Sequence, residues 1–408
     1  MASDVIQTKC CVAGGGPAGM VLGLLLARAG VDVVVLEKHA DFLRDFRGDT
    51  IHPSTLEIVH ELGLLDEFLR HPHQEAPVLN ANFAGAEFPL ADFKSLPTRC
   101  KFIALMPQWD FLNFVAGHAK KYPTFKLVMR AEVTELIRDG ERVVGVRATT
   151  PDGPLDVRAG LTVGADGRNS TVRAGAGLPV MDLGAPMDVL WMRLSRKPGD
   201  GDRPVGRFDR GRIFIQIYRG DYWQCAFVIP KGAHAEVQAR GIEAFRADIV
   251  SVAPVLADRV GELRTWDDVK LLTVRVDRLR KWWLPGLLCI GDAAHAMSPV
   301  GGVGINLAIQ DAVATANILA EKLRAGTVTN ADLAAVQRRR TLPTQLTQWL
   351  QVQVAKRVIT RALSAKGPLK VPFAMKLIRR FRLLRRIPAR IVGLGVRPEH
   401  VRTRDAFK

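Results

Sequence analysis

Cysteine is scarce. There are five in 408 residues (Cys10, Cys11, Cys100, Cys225 and Cys289), an odd number with no C-x-x-C pair. This fits a reducing, cytoplasmic setting better than a disulfide framework. Cys10 and Cys11 sit together in an apolar stretch and read as strand core. Nine histidines are scattered without ligand spacing, so no metal site is expected. There is no internal repeat and no low-complexity tract. The apolar run MVLGLLLARAG, Met20–Gly30, is too short to span a bilayer, and it is not read as a targeting segment. Acidic residues are absent from Leu333 to Pro398, while Arg and Lys recur there, densest in KLIRRFRLLRRIPAR, Lys376–Arg390.

What is present reads as an ordinary folded protein, 48% hydrophobic and 24% charged, with a net charge of +17. At about 100–200 residues per domain, the length implies two or three domains. The basic stretch would attract anionic partners, either a membrane surface or a small acidic molecule, or it is a solvated helix face. No nucleic-acid motif accompanies it, so nucleic acid is not an expected partner.

Glycine is concentrated where it shapes backbone. In TKCCVAGGGPAGMVLGLLLARAGVDVVVLEK, Thr8–Lys38, a short strand leads into Gly14-Gly15-Gly16-Pro17-Ala18-Gly19. A helix through Ala29 follows, then a strand from Val31 to Leu36 that ends at Glu37. This is G-x-G-x-x-G in a β-α-β setting with an acid at ribose distance. Gly14 permits the tight turn, Gly16 lets a pyrophosphate approach, and Gly19 lets helix pack on strand. The helix N-terminus offers N–H groups to phosphate. By itself this motif does not separate NAD from FAD.

Two later clusters repeat the theme. TVGADGRNSTVR, Thr162–Arg173, ends a strand at Asp166, which can bond a sugar hydroxyl or brace a neighbouring loop. GDAAHAMSPVGGVGINLAIQD, Gly291–Asp311, puts Asp292 at a strand end, then Pro299, Gly301, Gly302 and Gly304 before a helix beginning near Ile305. That helix N-terminus could stabilise negative charge on a flavin ring.

Together these motifs resemble the class A FAD-dependent monooxygenases, the para-hydroxybenzoate hydroxylase-like flavoprotein hydroxylases, over roughly residues 5–340. The resemblance implies an α/β fold: a Rossmann-like FAD-binding domain interleaved with a β-sheet substrate domain, plus a C-terminal helical tail. The FAD domain is expected at 1–76, 99–181 and 270–330, the substrate domain at 77–98 and 182–269, and a basic helical region at 331–408. It implies non-covalent FAD contacted by Gly14, Gly16, Pro17, Ala18, Gly19, Glu37, Lys38, Arg47 (Arg44 as runner-up), Gln108, Val133, Asp166, Asp292, Pro299, Gly302, Gly304, Ile305 and Asn306. Pro299 and Asn306 would lie beside the ring. His52 and His295 are tempting as acid–base groups, but in family terms both look structural.

The implied reaction uses NADH or NADPH to reduce FAD. The reduced flavin then meets O2, and a C4a-hydroperoxyflavin hydroxylates a lipophilic, aromatic small molecule. No second G-x-G-x-x-G marks a separate nicotinamide domain. The substrate region holds DVLWMRLSR, then RIFIQIYRG and YWQCAFVIPKG, the last two a hairpin about Gly220-Asp221. Such a sheet would roof the flavin. Tyr218, Trp223 and Phe227 could line it or serve as ordinary sheet packing. The tail reads as helix broken at Pro343, Pro372 and Pro388, without the thioredoxin-like extension of phenol-hydroxylase relatives. It would cap the pocket, bind an anionic membrane, or both. Two rivals stay open: an FAD-dependent reductase of an isoprenoid-type substrate, and a flavin-fold binding protein without turnover. A halogenase is disfavoured, because WQCAFVIP does not match W-x-W-x-I-P.

Overall fold

The computed structural model describes residues 4–43, 50–83, 85–201, 204–209, 211–365, 367, 369, 371 and 373–408. The chain opens with β1 (Asp4–Ala13), α1 (Pro17–Arg28) and β2 (Val33–Glu37). After α2 (Pro53–Glu61) it crosses to a second sheet through β3 (Val78–Phe83) and β4 (Ala86–Asp92). It returns with α3 (Gln108–Ala119), β5 (Phe125–Met129) and β6 (Gly153–Gly164). A second excursion follows: β7 (Met187–Ser195), β8 (Val205–Asp209), β9 (Arg212–Tyr218), β10 (Tyr222–Pro230), α4 (Ile242–Val252) and β11 (Lys270–Leu272). The chain comes back with β12 (Leu287–Cys289) and α5 (Gly304–Ala325), and ends with α6 (Asn330–Val354), α7 (Phe373–Arg380) and α8 (Arg386–Gly393).

The first sheet has a parallel core in the order β12-β6-β1-β2-β5. Strands covered on both faces read as continuous apolar runs, and Cys10, Cys11, Val12 and Ala13 are fully buried. Burial pushes the Cys11 thiol up to about 12, so it is an inert core group. Helix α1 is buried from Ala18 to Ala27, with Pro17 at its first position, where a missing N–H costs nothing. Its fully buried leucines Leu22, Leu25 and Leu26 each contribute roughly 1.5–3 kcal/mol of burial. A Cβ on Gly23 would lie 2.8 Å from Phe125 and Val35, so only glycine lets the helix lie this close to the sheet.

The second sheet has the order β11-β7-β10-β9-β8-β3-β4, mostly antiparallel. Gly220 takes a positive φ of 78° between β9 and β10, as the hairpin turn requires. One face packs on α4, where Phe227 meets Phe245 with ring centroids 5.3 Å apart. The other face carries Met187, Val189, Ile213, Ala226 and Val228, and packs with Val300 and with Ala355, Ile359 and Ala362 of the tail.

The tail departs from expectation at two prolines. Helix α6 runs straight through Pro343, which is buried between buried Arg340 and Thr344. Tertiary packing there outweighs the roughly 3 kcal/mol cost of proline in a helix interior. Pro388 falls in the first turn of α8, where its missing donor leaves nothing unpaired. Pro372 lies outside the described residues. The segment Val300–Ala325 is long and apolar enough to cross a membrane by length and composition, but 72% of its apolar window is buried inside the fold.

Candidate active site

The three glycine-rich turns arrive at one place because their strands are neighbours. Gly14 N donates to Leu36 O at 2.8 Å, Ala165 N to Ala13 O at 2.8 Å, and Ile290 N to Gly164 O at 2.9 Å. The C-terminal ends of β1, β2, β6 and β12 are therefore level, and the loops leaving them face a common crevice, the usual ligand position in a parallel sheet.

The glycines in these turns are not equivalent. Gly14 has φ 110°, and a Cβ there would lie 2.4 Å from Ala165 O. A Cβ on Gly19 would lie 1.9 Å from Gly14 O, and one on Gly291 would lie 3.2 Å from the Ala18 Cβ. These positions fuse the first turn to the second and third. At Gly16, by contrast, a Cβ would meet no protein atom within 4 Å. Gly16 also has ordinary extended backbone, φ −73° and ψ −176°. A glycine required neither by backbone nor by a protein neighbour, at the N-cap of a buried helix, leaves room for a ligand. Pro17 and Ala18 open that helix, with N–H donors of the first turn directed to the same space. The residues thus fit a pyrophosphate.

Glu37 is buried at the end of β2, and its carboxylate accepts from Gly15 N and His39 N, both at 3.0 Å. It braces the first turn from the position where a ribose diol would approach. Lys38 is exposed and 4.0 Å from Glu132. Gln108 is buried at the first position of α3, and Val133 is buried in the strand Glu132–Asp139. Arg47 and Arg44 lie outside the described residues.

Asp166 takes the bracing role of its two options. It accepts from Ser170 Oγ and from Val172 N at 3.0 Å, tying down the turn after β6. Burial pushes its carboxyl above the ordinary value, against those bonds. Asp292 differs: it is partly exposed to the crevice, with Arg168 Nη2 at 3.4 Å from Oδ2. Arg168 joins the second turn to the third, and its own carbonyl accepts from Arg173 Nη2 at 2.7 Å.

The third turn is shaped by Gly301 (φ 78°) and Gly302 (φ 62°) after Pro299, then Gly304 and Ile305 start α5. Asn306 acts as a clamp. Its Oδ1 accepts from His52 N at 2.9 Å and Thr55 Oγ1 at 2.7 Å, and its Nδ2 donates to Thr50 O at 3.0 Å and Gly302 O at 3.2 Å. Its amide is engaged by protein, so it fixes the loop rather than reaching outward. Gln351, from α6, holds the other end of that loop by donating to Ser298 O and Val300 O, both at 2.9 Å.

Neither tempting histidine opens on the crevice. His52 is fully buried; Nδ1 donates to Val392 O at 2.7 Å, and burial lowers its pKa to about 4 despite that bond. His295 is also buried, with Nε2 2.5 Å from Asp311 Oδ2. Asp311 also accepts from Gly291 N at 3.0 Å and Arg340 Nε at 2.8 Å. Burial alone would raise the Asp311 carboxyl, but the charges of His295 and Arg340 hold it below the ordinary value. Asp311 closes the Gly291–Asp311 stretch, yet neither spacing nor composition marks it as the anchor of that loop.

On the substrate sheet, alternation decides which residues face the crevice. Trp223 and Phe227 lie on the α4 side with Tyr218 packed beside them, so they are sheet packing. The crevice side carries Trp191, Ile213, Ile215 and Ala226, whose parity the sequence did not disclose.

Comparison with known proteins bears on the same site. The FAD binding domain family matches residues 7–350. The chain is 33% identical to 6-methylpretetramide 4-monooxygenase of Streptomyces rimosus, covering 88% of this chain and 86% of that protein. It is 30% identical to 12-dehydrotetracycline 5-monooxygenase/anhydrotetracycline 6-monooxygenase of Streptomyces rimosus subsp. rimosus, spanning 60% of that protein's length and 74% of its own. Among solved structures, PqsL of Pseudomonas aeruginosa superposes with a TM-score of 0.73 at 25% identity, over 88% of this chain and 97% of that one.

Proposed function

Because the chain belongs to the FAD binding domain family and is a class A FAD-dependent monooxygenase, we propose that it hydroxylates a lipophilic, electron-rich aromatic ring held between the third glycine turn and the second sheet. The enzyme uses O2 and NAD(P)H, and its substrate is a small molecule. The observation that carries the finer reading is the apolar sheet face of Trp191, Ile213 and Ile215 packed with Val300 of the turn after Pro299. Such a wall favours a flat apolar guest and excludes water. FAD held there would supply the redox chemistry, in which NAD(P)H gives a hydride, one oxygen atom of O2 goes to the ring and the other leaves as water.

The protein's part is positional. We assign Gly14, Gly16, Pro17, Ala18, Gly19 and Arg47 to the pyrophosphate, with Glu37, Lys38, Gln108 and Val133 on the nucleotide side. Asp292 would accept from the polyol chain, and Arg168 orients it. Asp166 and Asn306 act through the backbone they hold. Gly302, Gly304 and Ile305 would place the N-terminus of α5 against the ring, where its partial positive charge favours a reduced, anionic flavin. We divide the chain by its sheets: cofactor half 1–76, 99–181 and 270–330, substrate half 77–98 and 182–269, and tail 331–408. Lys270–Leu272 is the exception, since it pairs with β7 and so belongs to the second sheet. We place the enzyme in the cytoplasm, with its basic tail against an anionic membrane.

The test is flavin reduction by NADPH or NADH in a stopped-flow spectrometer, with and without candidate phenols. A phenol should speed reduction and yield a hydroxylated product by mass spectrometry. Reduction that no aromatic accelerates, with saturation of an isoprenoid double bond instead, would assign the enzyme to the rival reductase class.

A further inference from the structure

The tail from Leu333 to Pro398 contains no Asp or Glu. The fold lays much of it over the crevice-facing side of the substrate sheet. Ala355, Ile359 and Ala362 cluster with Met187 and Val228, Met375 packs with Phe83 and Phe88, and Val392 packs on the cluster of Ala91, Phe93 and Leu96. The tail is thus the outer wall of the substrate half.

That wall has two faces. In α8, successive residues advance by about 100°. Pro388, Ala389, Val392 and Gly393 turn inward, and Gly393 fits tightly enough that a Cβ would lie 2.7 Å from Leu96. Arg386, Ile387, Arg390 and Ile391 face out. The outward row continues through the preceding turn: Leu383 is 68% exposed, Ile387 59% and Phe381 50%. A row of exposed apolar side chains marks an interaction surface, where single ones would not.

The charges beside this row are of one sign. Lys376, Arg379, Arg380, Arg386 and Arg390 are exposed, and among the described residues none pairs with a carboxylate. Arg385 is occupied differently, donating to Ile378 O at 3.1 Å and Arg379 O at 2.8 Å to close the end of α7. Arg379 and Arg380 lie over the rings of Phe88 and Phe381, and apolar side chains interleaved with cations that have no carboxylate partner are the chemistry of a helix lying in a lipid headgroup layer. A second copy fits poorly, because a two-fold contact would set arginines against arginines.

We propose, deepening the membrane reading above, that the outer face of α7, α8 and the turn between them docks on an anionic lipid bilayer. Leu383 and Ile387 would enter the acyl boundary, and Arg386 and Arg390 would meet lipid phosphates. The substrate half then rests on the lipid, where a lipophilic aromatic is concentrated.

The test is sedimentation of the flavin-loaded full chain with phosphatidylcholine vesicles, and with vesicles that also contain phosphatidylglycerol. Binding is expected only to the second and should weaken with salt. Arg386→Gln with Arg390→Gln should lower vesicle affinity about 30-fold. Leu383→Ser with Ile387→Ser should lower it at least as much. Flavin absorbance checks that each variant is folded. No binding to anionic vesicles overturns the proposal, as does binding by both variants as tight as that of wild type. A dimer in analytical ultracentrifugation that the Leu383/Ile387 variant dissolves would assign the face to a second copy. Capture by polyglutamate that ignores the Leu383/Ile387 substitutions would assign it to an acidic protein. None of these readouts requires turnover, so their failure is distinct from failure of the monooxygenase reading.

Discussion

Gly16 and Gly19 belong to one motif, but the structure gives them opposite liabilities. A valine at Gly16 would enter space that no protein atom occupies, on backbone that any residue adopts. The apoprotein should therefore unfold in urea within about 0.5 kcal/mol of wild type. The cost falls on FAD. Pushing the pyrophosphate off the helix N-terminus loses about two charge-assisted hydrogen bonds, each roughly 1.5–3 kcal/mol. The sum, about 3–6 kcal/mol, is roughly a 10²–10⁴-fold rise in Kd. An alanine at Gly19 puts its Cβ 1.9 Å from Gly14 O, against a floor near 3.0 Å for real contacts. Helix must move from strand, so Gly19→Ala should destabilise the apoprotein by about 1–3 kcal/mol or more. The assay pairs flavin fluorescence titration with urea unfolding of each apoprotein. A Gly16→Val protein that purifies with full flavin would refute the placement of the cofactor in this turn, and a Gly19→Ala apoprotein as stable as wild type would refute the close packing of helix on strand.

Other outcomes follow from the same geometry. Asp311→Asn removes the carboxylate that His295 contacts and the nearer of Arg340's two buried carboxylates, Glu399 staying at 3.5 Å, and should cost about 3 kcal/mol, read as earlier thermal release of flavin; an unchanged release temperature would contradict this. His52 is held neutral, with a folded pKa of about 4 against 6.5 unfolded, so the unfolded chain binds the extra proton first as pH falls. Its contribution is complete above pH 6.5 and is lost toward pH 4, by up to about 3 kcal/mol. His52→Gln should flatten that part of the stability profile relative to wild type, and parallel profiles would count against it. Phe227→Ala should lower stability by about 3–5 kcal/mol without raising KM, whereas Trp191→Ala, on the other face, should raise KM for the aromatic substrate. A reversed pattern would mean that the sheet faces have been misassigned.

How much of this was legible in the sequence depends on range. The first turn, α1 and the acid ending β2 are written within thirty residues, because a β-α-β unit is a local object with local glycine and proline requirements. The hairpin about Gly220 was readable for the same reason. Which face of that hairpin meets the crevice was not, since alternation gives two faces without saying which partner covers each. Pro343 misleads for a related reason: its local cost is real, but packing of Arg340 and Thr344 outweighs it. Nor could sequence pair Asp311 with Arg340, 29 residues on, or show that Asp166 and Asn306 brace their own loops.

By itself, then, the sequence determined the local backbone: where the chain must turn, where a helix can begin, and that three such turns exist. Glycine and proline restrict φ and ψ at their own positions, so no distant partner is needed to read them. Only the tertiary structure decided that the turns converge, because convergence follows from strand order β12-β6-β1-β2 and from the levels at which those strands end. It also decided which polar side chains are already satisfied within the protein and which face the crevice, a matter of burial that no short stretch of chain encodes.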